Sequence, residues 1–217
     1  MRYKLAVFDM DGTILNTLED LADSTNYALK VNGLPERTID EVRRFVGNGI
    51  RLLIERAVPT GSAPDLVDTV FDTFKKYYKT HCAVKTKPYD GIREVLLSLR
   101  KAGCLTAVVS NKADFAVQDL CRDYFDGLFD IAVGEREGIK KKPAPDSVFE
   151  VLSKLNVDKD DAVYIGDSDV DFATSVNAEM DVIMVGWGFR DEEFLREKGA
   201  RRIIKQPSEI LDIILER

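Results

Sequence analysis

An α/β fold, a mostly parallel sheet flanked by helices with an all-helical segment inserted near its start, is what this sequence predicts, and three observations carry it. Residues 5–8 are four apolar residues that run straight into Asp9, Asp11 and Gly12, the pattern of a short strand buried on both faces and ending in acids. From Pro88 onward, short apolar runs alternate with amphipathic helical stretches, which implies right-handed crossovers and parallel pairing. Between about residues 16 and 84 the pattern is helical and holds no convincing strand.

The elements follow in order. Residues 18–31 place Leu21, Ala22, Thr25, Ala28 and Leu29 on one face, with acids in the first turn, and Asn32 and Gly33 stop the helix. Thr38 and Glu41 have the spacing of a capping box, and the helix they open ends near Gly47. Residues 48–58 and 64–80 read as two more helices, separated by a segment holding Pro59, Gly61 and Pro64. Beyond Pro88, residues 91–101, 115–121, 148–155 and 207–215 are helical, whereas residues 105–109, 128–133, 162–165 and 181–185 are strands. The expected organisation is a core of residues 1–15 and 85–217 with residues 16–84 inserted into it.

At 217 residues, with 45% apolar and 32% charged residues, the composition is that of an ordinary globular protein. A net charge of −7 without a basic block gives a nucleic acid or an anionic membrane no electrostatic footprint, so neither is an expected partner. Cys82, Cys104 and Cys121 are odd in number and form no CxxC pair, which suggests reduced thiols in a cytoplasm, buried as small apolar residues. Asp9 and Asp11 interrupt the first apolar run, so no signal peptide is read there, and no stretch approaches the length of a membrane span. His81 is the single histidine, which argues against histidine-based zinc or triad chemistry.

In parallel α/β sheets ligands bind beyond the carboxyl ends of the strands. The first strand ends in Asp9 and Asp11, which period-two alternation sends to one face, and Gly12 permits a sharp turn there. The second ends in Ser110 and Asn111, the fourth in Gly166 and Asp167, and Lys142 lies in the loop after the third. Facing groups of carboxylates repel unless a cation lies between them; a divalent metal with a bound phosphate would balance the charge. Ser110 also fits a plain helix N-cap, and Asp169 and Asp171 fit an N-cap and first-turn acids placed for the helix dipole. Pro143 singles out Lys142 from a run of three lysines by forcing it into an extended conformation, with Lys141 the alternative.

Asp9-Met10-Asp11-Gly12-Thr13, Ser110, Lys142 before Pro143 and Gly166-Asp167, in this order around a helical insertion, resemble the four motifs of the haloacid dehalogenase superfamily. The resemblance implies a Rossmann-like catalytic core with a helical cap domain, and a Mg²⁺-dependent phosphatase similar to phosphoglycolate phosphatases. It further implies that Asp9 is the nucleophile and forms an aspartyl-phosphate. Asp11 becomes the general acid and then base. Met10, Gly12, Ser110, Asn111 and Lys142 hold phosphoryl oxygens, and Asp9, Asp11 (through its main-chain carbonyl) and Asp167 hold the metal. Asp171 is expected behind these, orienting Lys142 or a metal-bound water. Arg43, Gly47 and Asn48 resemble the substrate loop of phosphoglycolate phosphatase-like caps; the alternative is a helix C-cap with surface arginines. Tyr77, Tyr78 and His81 read as packing or surface residues, and the loop around Gly186, Trp187 and Gly188 receives no chemistry. The expected substrate is a small phosphorylated metabolite and the expected state a monomer or homodimer. A phosphosugar mutase, a pyrophosphatase and a non-catalytic phosphate-binding protein are the competing readings. Thr13 stands where such mutases show a small apolar residue, and Asp11 is superfluous in a dehalogenase.

Overall fold

The computed structural model describes residues 1–216. In chain order the elements are β1 (Leu5–Phe8), β2 (Leu15–Asn16), α1 (Leu18–Val31), α2 (Ile39–Phe45), α3 (Ile50–Ala57), α4 (Pro64–His81), β3 (Lys87–Pro88), α5 (Ile92–Lys101), β4 (Leu105–Ala113) and α6 (Asp114–Phe125). They continue through β5 (Ile131–Glu135), α7 (Asp146–Leu155), β6 (Ala162–Gly166), α8 (Asp169–Asn177), β7 (Asp181–Val185), α9 (Glu192–Glu197), β8 (Ile203–Ile204) and α10 (Glu209–Leu215). The chain divides into two compact units, residues 1–15 with 88–217, and residues 16–87.

The first unit is built on a six-stranded sheet of order β5-β4-β1-β6-β7-β8, every pairing parallel. β1 lies between β4 and β6 and none of its four residues is exposed. Its alternation feeds two cores. Ala6 and Phe8 pack with Leu96 and Leu99 of α5, Val117 and Leu120 of α6, and Ile210 and Ile214 of α10. Leu5 and Val7 pack with Val148, Val151 and Leu152 of α7 on the other face. Burial of such side chains stabilises by about 1.5–3 kcal/mol each, which is why a strand of four residues serves as the axis of the sheet. Cys104 is buried and Cys121 packs against the first core, and burial pushes their thiols up to about 11 and about 12.

Six elements differ from the sequence reading. β4 runs four residues past Val109, with an irregular register against β5 between Val109 and Ala113. Gly134 of β5 permits this, because a Cβ there would lie 2.5 Å from Asp114 Cα and 2.6 Å from the Lys112 carbonyl. β5 starts at Ile131 rather than near Leu128, since Asp130 stops short of the ladder and accepts from the Thr106 N–H at 2.9 Å. β2 and β3 pair as a separate two-stranded sheet, and each is too short to show a period. α9 and β8 were hidden for the same reason.

The second unit is helical. α1 packs on α4, burying Leu21 and Leu29 on one side and Val70, Phe74 and Tyr78 on the other. Thr38 caps α2 with the expected reciprocal bonds to Glu41. Asp20, almost fully buried, accepts main-chain N–H bonds from Lys85 at 3.0 Å and Thr86 at 2.8 Å, tying the end of this unit to α1. Tyr78 is core, whereas Tyr77 stacks between Tyr27 and His81 with ring centroids 3.8 Å from each. No helix among the described residues is long and apolar enough to cross a membrane.

Candidate active site

β1 stops at Phe8, so Asp9 and Asp11 stand not on the strand but on the turn that follows it. That turn is closed by three N–H bonds from Thr13, Ile14 and Leu15 to the Met10 carbonyl and by Gly12 N–H to the Leu15 carbonyl at 2.9 Å. Two expectations change as a result. Strand alternation does not govern the two acids, which meet different partners. The Gly12 N–H, expected to bind phosphate, is spent inside the turn, and the Met10 side chain is buried. Gly12 itself adopts φ 88°, a left-handed conformation that suits glycine.

Asp9 faces Lys142, whose Nζ donates to Asp9 Oδ1 at 2.8 Å, to Asp171 Oδ1 at 2.7 Å and to the Tyr164 hydroxyl at 3.0 Å. Lys142 is buried, while Lys141 is partly exposed and lies 4.0 Å from Glu135. Burial works against the Lys142 charge, yet Asp171 and Asp9 outweigh it and hold its pKa well above the usual lysine value. Asn111 keeps this loop in place with both ends of its amide: Nδ2 donates to the Lys142 carbonyl at 3.0 Å and Oδ1 accepts from the Lys142 N–H at 2.8 Å. The Asn111 side chain is therefore a brace. Ser110 is buried at the same edge, and its Oγ accepts from the Lys112 N–H at 3.2 Å.

Further out, Arg136 grips Glu150 of α7 with two bonds, Nη2 to Oε2 at 2.6 Å and Nη1 to Oε1 at 3.2 Å, and Lys154 adds a third at 2.7 Å. Hydrogen bonds from Arg136 first and Lys154 second hold the Glu150 carboxyl down at about 2. Stability from a depressed carboxylate is present above its unfolded pKa and lost as pH falls towards the folded one. Glu150→Gln should therefore be less stable than the parent by about 0.5–1 kcal/mol at pH 6 and nearly equal to it at pH 2.5. Urea unfolding at the two pH values checks this, and a gap that does not shrink would refute it.

Asp167 directly follows β6, which ends at Gly166, and is almost fully buried. Its Oδ1 accepts from the Thr13 hydroxyl at 3.2 Å and its Oδ2 from the Phe189 N–H at 2.7 Å. Trp187 Nε1 donates to the Thr13 carbonyl at 3.0 Å. The loop of Trp187 and Gly188, for which no chemistry was expected, is thus the wall behind Asp167, and it acts through a main-chain N–H that sequence patterns do not display. Ser168, rather than Asp169, caps α8 in a capping box with Asp171. Asp171 Oδ2 takes Ser168 N–H and Oγ while its Oδ1 takes Lys142, so both of its oxygens are engaged by the chain.

Oxygens of Asp9, Asp167 and Asp171 lie within 4.8 Å of one another, all buried. Desolvation, then repulsion from Asp171, raises Asp9 to about 7, and the same two causes raise Asp167 well above the usual carboxylate range. Three buried carboxylates against the one ammonium of Lys142 leave the site short of positive charge, and oxygen ligands of this kind fit a hard divalent cation. Asp11 stands apart from this trio with Lys112, a residue that sequence reasoning passed over: its Nζ donates to Asp11 Oδ1 at 2.8 Å. Arg43, Gly47 and Asn48 belong to the second unit, where Arg43 sits in the last turn of α2, 3.7 Å from Asp40, and Gly47 adopts φ 120° in the turn to α3.

A parallel sheet that gathers carboxylates and buried lysines at its carboxyl edge defines an α/β enzyme for an anionic substrate. The sequence model of the haloacid dehalogenase-like hydrolases matches residues 6–185. The N-acetylmuramic acid 6-phosphate phosphatase of Pseudomonas aeruginosa is 31% identical over 99% of this chain and 96% of its own length. The phosphoglycolate phosphatase of Psychrobacter arcticus is 31% identical over 100% of this chain and 97% of its own. A solved structure from Lactobacillus delbrueckii subsp. bulgaricus, provisionally described as a phosphoglycolate phosphatase, has a TM-score of 0.94 and 39% identity with 99% of each chain covered. The chain belongs to the haloacid dehalogenase-like hydrolases, and it is a phosphoric monoester hydrolase.

Proposed function

We propose that this protein hydrolyses a small carboxylate-bearing phosphomonoester, phosphoglycolate-like, in a Mg²⁺-dependent reaction through an aspartyl-phosphate on Asp9. The observation that carries it is the carboxylate trio with Lys142 on Asp9 and a second acid, Asp11, on the adjoining turn. The two relatives' names describe phosphate esters of carboxylic acids, which supports that substrate class.

In the first half-reaction an Asp9 oxygen bonds to phosphorus as the ester P–O bond breaks, and Asp11 gives its proton to the departing oxygen. In the second, Asp11 takes a proton from water as the water oxygen attacks phosphorus, and the Asp9–phosphorus bond breaks to release phosphate. Lys142 offsets the charge of the incoming dianion, and Ser110 with the Asn111 N–H holds phosphoryl oxygens. Asp9, Asp167 and the Asp11 main-chain carbonyl would hold Mg²⁺, which when bound supplies charge neutralisation at the phosphoryl group. Asp171 keeps Lys142 in place. By the family resemblance the helical unit has the role of a cap, and Arg43, Gly47 and Asn48 that of its substrate loop. Such an enzyme acts in the cytoplasm on a free metabolite, as a monomer or homodimer.

The test is phosphate release from a panel of phosphoglycolate, sugar phosphates, sugar acid phosphates and pyrophosphate, with Mg²⁺ and with EDTA. Selective, EDTA-sensitive turnover of a carboxylate-bearing ester is the expected result. Turnover of pyrophosphate alone, or conversion of glucose 1-phosphate to its 6-phosphate without release, would overturn the reading.

A further inference from the structure

Lys112 is not used by the reaction as written. It stands near the end of β4, two residues past Ser110, and its side chain is 2% exposed. A lysine buried to that degree is costly unless its charge is met. Asp11, itself 16% exposed at the side chain, meets it at 2.8 Å. The site thus contains two lysine–aspartate pairs, Lys142 with the proposed nucleophile and Lys112 with the proposed acid. The backbone bonds of the turn fix the path of the chain at Asp11 but leave its side-chain torsions to be set by a partner.

We infer that Lys112 is a positioning residue for Asp11, holding the carboxyl group where it serves the leaving oxygen and receiving the negative charge that remains when the proton goes. The inference rests on the reading of Asp11 as the general acid. As the Asp9–phosphorus bond forms and the ester bond breaks, the proton passes from the Asp11 carboxyl to the ester oxygen, and the new carboxylate lies against the Lys112 ammonium. Asp11 meets the lysine as a carboxylate in the free site; in the reacting complex, where it carries the proton it gives up, that charge returns only as the leaving group departs, so there the pairing is worth more in the transition state than in the ground state. A leaving group that departs without a proton gains nothing from it.

Phenyl phosphate and p-nitrophenyl phosphate separate the two cases, because nitrophenolate leaves unprotonated and the esters differ little in size. In the Mg²⁺-loaded enzyme, Lys112→Met should lower kcat/KM on the order of 10²-fold for phenyl phosphate and less than about tenfold for p-nitrophenyl phosphate. Lys112→Arg should recover most of the phenyl phosphate loss. In an Asp11→Asn background, Lys112→Met should add less than about threefold to the loss, because the lysine then has no acid to serve. Equal losses on both esters, no recovery by Arg, or a full additional loss beside Asp11→Asn would overturn the inference; Lys112→Gln takes the place of Lys112→Met if the latter does not fold. A parent enzyme that releases no phosphate from these esters or from any ester of the panel above would instead sink the proposed activity itself, so the two failures are told apart.

Discussion

Asp9→Asn leaves a folded protein whose hydrolysis of every phosphate ester is cut by at least about 10⁴-fold. The loss is total in kind because the amide cannot attack phosphorus, and no neighbour replaces it: both oxygens of Asp171 and both of Asp167 are held by the chain. The fold survives because Lys142 keeps Asp171 and the Tyr164 hydroxyl as partners. Substitution also removes one of three carboxylates crowded within 4.8 Å, a repulsion that the fold bears unless a cation offsets it. Metal-free Asp9→Asn should therefore melt no lower than the metal-free parent, whereas added Mg²⁺ should stabilise the parent more than the variant. Steady-state rates and thermal unfolding with and without Mg²⁺ check both halves. Residual activity within about a hundredfold of the parent would place the nucleophile elsewhere.

What could be read in the sequence and what could not divide along a physical line. The burial of β1 on both faces was legible because four apolar residues in a row leave no solvent face, and α1 was legible to the residue because its acids, apolar stripe and Asn32-Gly33 stop agree. Lys142 was legible because a proline follows it. Lys112 was not: the apolar run ends at Val109, so a continuation of β4 through polar residues looks like loop, and only the approach allowed by Gly134 extends it. The loop of Trp187, Gly188 and Phe189 was silent for a different reason. Its contributions to the site are a main-chain N–H, which any residue order could supply, and an indole bond to a carbonyl whose place the sequence does not name; Gly186 and Gly188 were its outward sign.

That sign leads to the second large effect, at Gly188. A Cβ placed there would lie 2.2 Å from Asp167 Cβ and 2.4 Å from its Oδ2, distances that require something to shift. Asp167 cannot step aside, because a Cβ position on Gly12 lies 2.4 Å from the same Oδ2, so the carboxyl group is held between two glycine backbones. Gly188→Ala must therefore displace either Asp167 or the loop whose Phe189 N–H bonds it at 2.7 Å. Overpacking of this kind costs about 1–3 kcal/mol of stability. Displacing a proposed metal ligand or its support weakens Mg²⁺ binding by about 10- to 100-fold, with activity partly restored at high Mg²⁺. Trp187, the single tryptophan of the chain, is bonded to Thr13 beside Asp167, so its fluorescence during Mg²⁺ titration reports binding without reliance on turnover. Gly186→Ala is the control: its Cβ meets the Ile204 carbonyl at 3.3 Å and Ile203 Cγ2 at 3.5 Å, and Asp167 is not among its neighbours. Weakened Mg²⁺ binding in Gly188→Ala but not in Gly186→Ala ties the metal to Asp167. Parental affinity in Gly188→Ala would remove Asp167 from the proposed ligand set.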